Sequence, residues 1–173
     1  MSEETSTRRT GLGMMLAFWA LFFGLGMWWL GDVFDERENP NAHLLDAPPG
    51  TTVTLERNAS GHYVASGRIN DMPVIMLLDT GATSVAVPEQ LARRLDLPHQ
   101  GEAWFTTANG RIRGQLTTLD EVSLGGVTAR QVRGSINSGL SDDLVLLGMS
   151  FLGRFDIEIR GKQMVLRAPE AGP

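Results

Sequence analysis

The sequence predicts an all-β domain with one short helix, carried behind a single transmembrane helix. Three observations lead there. From Thr51 onward the chain is a series of short apolar runs broken by frequent glycine, the signature of strands and turns. Ahead of it, Leu12 to Gly31 ("LGMMLAFWALFFGLGMWWLG") is mostly apolar and carries no charge. Helical spacing within the later part is confined to "PEQLARRLDL".

The elements follow in chain order. Residues 1–10 form a short tail and residues 11–31 the membrane span. Twenty residues at ~1.5 Å rise match the ~30 Å hydrocarbon core. A cleaved secretory signal has a shorter apolar stretch and a small-residue cleavage site, and "WWLGDVFDERE" offers none, so the segment reads as an uncleaved signal anchor. Trp28 and Trp29 stand near its end, where amphipathic aromatics favour the membrane interface. Arg8 and Arg9 precede it, whereas Asp32, Asp35, Glu36 and Glu38 follow it with only Arg37 among them. The positive-inside bias puts the N-terminus in the cytoplasm and the bulk of the chain outside. The competing reading is a buried helix of a soluble protein. Gly13, Ala17, Ala20 and Gly24 share one helix face, a spacing that lets two membrane helices approach closely.

Residues 32–50, "DVFDERENPNAHLLDAPPG", are acidic, contain proline and lack periodicity, and read as a linker. The domain is expected over residues 51–173. "TVTLER" and "GHYVASGRIN" read as strands and "PVIMLLD" as a buried one. Pro88 suits the first turn of a helix in which Leu91 and Leu95 share a face. "WFTTANGRIRGQL" carries Asn109-Gly110, the strongest two-residue hairpin signal, because a type I′ turn needs φ > 0 at both central positions. "VSLGGVTARQVRGSI" predicts a strand pair, and "FDIEIRGKQMVLR" a hairpin around Gly161.

Composition narrows the function. The chain has 173 residues, with 20 Asp and Glu against 15 Lys and Arg, and no cysteine. The net charge of −5 and the lack of a basic cluster give no reason to expect nucleic-acid binding. Without cysteine there are no disulfides, thiol nucleophiles or cysteine-ligated zinc. His43, His62 and His99 are scattered without metal-ligand spacing, Asp142-Asp143 lacks the rest of a calcium loop, and no G-x-S-x-G elbow occurs. No metal and no cofactor is expected.

The informative stretch is "VIMLLDTGATSVAVP", an apolar strand running into Asp79-Thr80-Gly81. Alone, Asp79 reads equally as a turn residue. A second apolar strand, within "LVLLGMSFLGRF", ends in Leu147-Gly148 and is expected to run into a helical turn. Between the two lies the hairpin tip Ala108-Asn109-Gly110. In this order the chain resembles a retropepsin-like aspartic protease, of the membrane-anchored type found in Gram-negative bacteria, over Thr52 to Arg167 plus the anchor. The resemblance implies a closed β-barrel of six to eight strands. It makes "DTGA" the catalytic loop, Asn109-Gly110 the tip of a flap, and Leu147-Gly148 the strand end that threads the loop from behind. Asp79 becomes the catalytic residue. Gly81 lets its N–H approach the carboxylate, Thr80 braces the partner loop, and Ala82 and Thr83 support the loop.

Peptide hydrolysis without metal or nucleophile needs a water activated and a leaving amine protonated. Two carboxylates sharing one proton do both, since like charges this close cannot both ionise. The chain has one D-T-G, so the resemblance implies a homodimer with one Asp79 from each subunit. Retroviral relatives place Arg and then Asp or Asn after the second glycine for contacts between subunits. Here Met149 and Ser150 stand there and Arg154 comes later. The expectation is a single-pass, membrane-anchored endopeptidase of the bacterial inner membrane, facing the periplasm and cutting peptide or protein substrates. The alternative is a non-catalytic, membrane-tethered binding or dimerisation module on the same fold.

Overall fold

A computed structural model describes residues 14–15, 17–28, 37–107, 110–140 and 143–169. The chain divides into two units, Met1–Arg37 and Glu38–Pro173. In the first, residues 17–28 are helical with every side chain exposed, and Trp19 and Phe23 stack at 5.7 Å. Among the described residues no helix is long and apolar enough to cross a membrane. The predicted span of residues 11–31 runs past the described residues at both ends. Ala17, Ala20 and Gly24 lie on the exposed helix, and Gly13 falls outside the described residues.

The second unit is built from ten strands: β1 (Thr52–Glu56), β2 (Tyr63–Ile69), β3 (Met72–Leu78), β4 (Val85–Pro88), β5 (Glu102–Thr107), β6 (Gly110–Leu124), β7 (Val127–Asn137), β8 (Leu144–Leu147), β9 (Asp156–Arg160) and β10 (Gln163–Arg167). Two short helices join them, α1 (Glu89–Arg94) and α2 (Met149–Leu152). The larger sheet runs β2-β3-β8-β4-β7-β6-β5, and pairing of β2 with β6 closes six of these strands into a barrel. β5 hangs outside the closure as the free arm of the β5–β6 hairpin. The closure depends on Gly67, which pairs with Leu124, because a Cβ there would lie 2.5 Å from the Ser123 carbonyl. The smaller sheet, β1-β10-β9, is antiparallel throughout.

Alternation explains the core. Tyr63, Ala65 and Ile69 on β2 point inward, as do Val74, Met76 and Leu78 on β3. Period-2 patterning is what a strand with one face on the core requires. "PVIMLLD" reads as buried throughout, yet Ile75 is 42% exposed on the outer face. On β7 the inward set changes from Val127 and Ala129 to Val132, Gly134 and Ile136. The change of phase falls at Gln131, whose φ is +50°. A left-handed residue inside a strand adds local twist and re-aims the side chains beyond it.

The expected helix forms over α1, with Leu91 buried, and stops at Asp96, whose φ is +49°. The tract expected as a linker over residues 32–50 is folded from Glu38 onward. Asn41 is only 1% exposed and acts as a suture: its Nδ2 donates to the carbonyls of Glu56 (2.9 Å) and Val64 (2.7 Å), and its Oδ1 accepts from the Glu56 amide (2.8 Å). A 3-10 turn, Ala42–Asp46, then buries Leu44.

Candidate active site

Parallel pairing of β3 with β8 sets Leu78 beside Leu147, so the loops that follow, at Asp79 and at Gly148, start side by side. The Asp79 amide donates to the Leu147 carbonyl at 3.1 Å. Further along the loop, the Met149 amide donates to Ala82 O at 2.8 Å and the Ser150 amide to Thr83 O at 3.0 Å. The second loop therefore grips the first at both ends. Gly148 makes the grip possible. It is extended (φ −92°, ψ −173°), and a Cβ would fall 2.4 Å from Ser84 O and 2.7 Å from Ala82 O.

Within the loop, the Gly81 amide donates to Asp79 Oδ1 at 2.8 Å, and the Ala82 amide to the Asp79 carbonyl at 3.2 Å. A Cβ on Gly81 would stand 3.1 Å from Oδ1, tighter than nearly all side-chain contacts, as the N–H approach to the carboxylate requires. Asp79 is half-buried. Oδ2 carries no hydrogen bond among the described residues, so the backbone orients one carboxylate oxygen and leaves the other unengaged. Thr80, Gly81 and Thr83 are exposed and Ala82 is half-buried. Neither threonine hydroxyl is engaged in a hydrogen bond among the described residues.

The facing loop, Leu147-Gly148-Met149, contains no carboxylate. The paired loops of one chain thus supply a single acid. Among the described residues no group of three or more His, Asp or Glu side chains has an arrangement that could hold a metal ion.

β5 and β6 form the hairpin expected as the flap. Thr107 pairs with Gly110 at the end of their ladder. Gly110, with φ +110°, is the first residue of β6. Ala108 and Asn109 lie outside the described residues. One face of the hairpin carries Trp104, 63% exposed with the Arg111 guanidinium 5.4 Å above its ring, and an ion pair between Arg113 and Glu102. On the other face Phe105 packs over Gly114.

Two residues at the site were not singled out as functional from sequence. Ser150 Oγ accepts from the Val85 amide (3.0 Å) and donates to Arg133 O (2.7 Å). Arg154, exposed at the surface, folds back on the chain: its Nε donates to Ser150 O at 3.2 Å, and its guanidinium to the carbonyls of Arg130 and Gln131. The hint was their place two and six residues after Gly148, in the segment where the sequence departs from the retroviral pattern.

The family model described as "gag-polyprotein putative aspartyl protease" matches residues 65–154, just over half of the chain, including both loops and the hairpin. The chain belongs to this aspartyl protease family. Its fold is similar to that of a retropepsin-like aspartic protease from Rickettsia conorii, with a TM-score of 0.54 and 26% identity over 68% of this chain and 90% of that one. Two curated relatives are uncharacterised proteins. One, encoded 5′ of cobV in a Sinorhizobium species, is 28% identical over 128 residues, 72% of this chain and 55% of that protein. The other, from Rickettsia prowazekii (strain Madrid E), is 27% identical over 106 residues, 60% of this chain and 45% of that protein. The aspartyl protease chain thus spans about half the length of the curated relatives it matches. The expected retropepsin-like barrel is present, closed by six strands.

Proposed function

We propose that this chain is an aspartic endopeptidase, anchored in the bacterial inner membrane and active in the periplasm as a homodimer. The observation that carries the reading is the Asp79 loop: a half-buried carboxylate with Oδ1 oriented by the Gly81 amide, in a loop pair with no second acid. A two-fold axis beside that loop would bring a second Asp79 within reach of the same water. One carboxylate then takes a proton from water as its oxygen attacks the peptide carbonyl carbon. The other gives its proton to the carbonyl oxygen. As the tetrahedral diol collapses and its C–N bond breaks, the first carboxyl passes the proton it took from water to the leaving nitrogen, and the second carboxylate takes a proton from a diol hydroxyl, which leaves one proton on the dyad again. The unengaged hydroxyls of Thr80 and Thr83 are available for contacts with a second loop. The flap tip, Ala108 to Gly110, would cover the substrate and exclude water.

Support for the anchor comes from the uncharged run of Leu12 to Gly31 and the charges that flank it. Two chains tethered in one membrane plane meet at raised effective concentration, and the small-residue face of Gly13, Ala17, Ala20 and Gly24 would add a helix contact.

The test uses the full chain in lipid nanodiscs with a diverse peptide library from acid to neutral pH, beside Asp79→Asn. Cleavage by the parent and none by the variant is expected. In mixed dimers, activity should follow the square of the parent fraction, because one Asp79 is not enough. Linear dependence refutes the shared dyad. A stable dimer that cuts nothing leaves the binding module.

A further inference from the structure

Four hydrogen bonds converge on Ser150. Its amide donates to Thr83 O (3.0 Å), its Oγ accepts from the Val85 amide (3.0 Å) and donates to Arg133 O (2.7 Å), and its carbonyl accepts from Arg154 Nε (3.2 Å). The first two bracket Ser84, the residue at which the catalytic loop runs into β4. Ser150 thus does for this limb of the loop what a neighbouring strand does elsewhere, filling the carbonyl before Ser84 and the amide after it. Its footing is β7. Arg154 hooks the same carbonyl run two and three residues before Arg133, where Gln131 breaks the regular strand with φ +50°.

The limb held in this way is bonded back to the reacting group. The Ala82 amide reaches the Asp79 carbonyl at 3.2 Å, and the Gly81 amide reaches Asp79 Oδ1 at 2.8 Å. A displacement of Thr83 to Val85 is therefore passed to the carboxylate through two bonds. Val85 is fully buried, so its amide finds no water if the Ser150 hydroxyl is removed.

We propose that Ser150 is a positioning residue for peptide-bond hydrolysis, fixing the pose of the Asp79 carboxylate through Thr83 and Val85, with Arg154 as its support. The proposal rests on the protease reading above. The Ser150 hydroxyl bonds to backbone groups, the Val85 amide and the Arg133 carbonyl, and acts through them. Its effect belongs in kcat, because substrate binding along the cleft and flap does not depend on sub-ångström placement of the carboxylate, whereas the chemical step does.

The experiment compares the full-length parent with Ser150→Ala, Ser150→Thr and Arg154→Ala, measuring kcat, KM, oligomer mass and amide hydrogen exchange. Ser150→Ala should lower kcat by about 10- to 100-fold, leave KM within about twofold and accelerate exchange at Val85. Ser150→Thr, which keeps the hydroxyl, should recover most of kcat. Arg154→Ala should lower kcat less, and adding it to Ser150→Ala should cost little more, as expected for one linked unit. A folded, dimeric Ser150→Ala with parental kcat overturns the proposal, as does a loss that appears in KM or vanishes once corrected for the folded fraction. If Ser150→Ala does not fold, Arg154→Ala gives the same comparison with the hydroxyl in place: a kcat loss at constant KM supports the proposal, and parental kcat overturns it. A parent that cuts no peptide removes the protease reading, and with it the role in hydrolysis. Faster exchange confined to Val85 and its neighbours would still show that Ser150 holds the loop, so the two failures are distinguishable.

Discussion

Replacing Gly148 by alanine should damage stability and catalysis together. The added Cβ would lie 2.4 Å from Ser84 O, 2.7 Å from Ala82 O and 2.9 Å from Ser84 C. An ordinary contact begins near 3.4 Å, so the catalytic loop and β8 must part by about 1 Å (3.4 − 2.4). The obstructing atoms are backbone, which cannot swing away as a side-chain tip would. Conformation offers no other explanation, because alanine adopts φ −92°, ψ −173° without strain. Parting the loops also stretches the bonds from Met149 to Ala82 and from Ser150 to Thr83. Overpacking of this kind costs about 1–3 kcal/mol, and the loss of one bond adds about 1 kcal/mol. A 1 Å displacement of reacting groups lowers the rate on the order of 100-fold. Urea denaturation should show a lower midpoint at unchanged m, and kcat per folded molecule should fall by the stated factor. Gly50→Ala is the control, with no atom nearer than 3.9 Å and an expected change within about 0.5 kcal/mol. If Gly148→Ala melts and turns over like the parent, the close approach of the two loops is not how the site is built.

Other changes should separate fold from function. Asn41→Ala removes three short bonds to β1 and β2 and should destabilise the domain by about 2–4 kcal/mol, with kcat per folded molecule unchanged; an unaltered urea midpoint would mean that the strap is not part of the fold. Arg113→Ala breaks a pair whose side chains are 64% and 48% exposed, so solvent screening limits its cost to about 0–1 kcal/mol, read as the difference in midpoint at low and high salt. A dyad sharing one proton gives a bell-shaped dependence of kcat/KM on pH, and a flat profile from acid to neutral pH would remove it.

What was legible in the sequence is what short-range pattern encodes. The strand into Asp79, the strand into Gly148 and the hairpin between them each show apolar alternation next to a turn residue, and their order carried the family resemblance. The strap was not legible. "ENPNAHLLDAPPG" has no period, and it is ordered because one asparagine side chain mimics a strand edge toward Glu56 and Val64, partners with no local signal. The phase change on β7 was equally hidden, since "ARQVRG" shows nothing that would mark Gln131 for φ +50°. The Asn-Gly dipeptide pointed to the right hairpin, whose β5–β6 ladder runs to the pair of Thr107 with Gly110.

The catalytic loop is defined by an absence at one position and a presence two residues later. Gly148 lets the second loop come close by having no side chain. Ser150 holds the loop at that distance by having one that both donates and accepts. These roles predict different failures. A methyl group at 148 pushes two backbones apart, so folding and turnover are lost in one step. Loss of the hydroxyl at 150 leaves the packing alone and frees only the limb from Thr83 to Val85, so turnover should fall further than stability. Arg154 fits the same logic. Its guanidinium is spent on the carbonyls of Arg130 and Gln131 on β7. The loop's geometry is therefore secured by groups of a single chain.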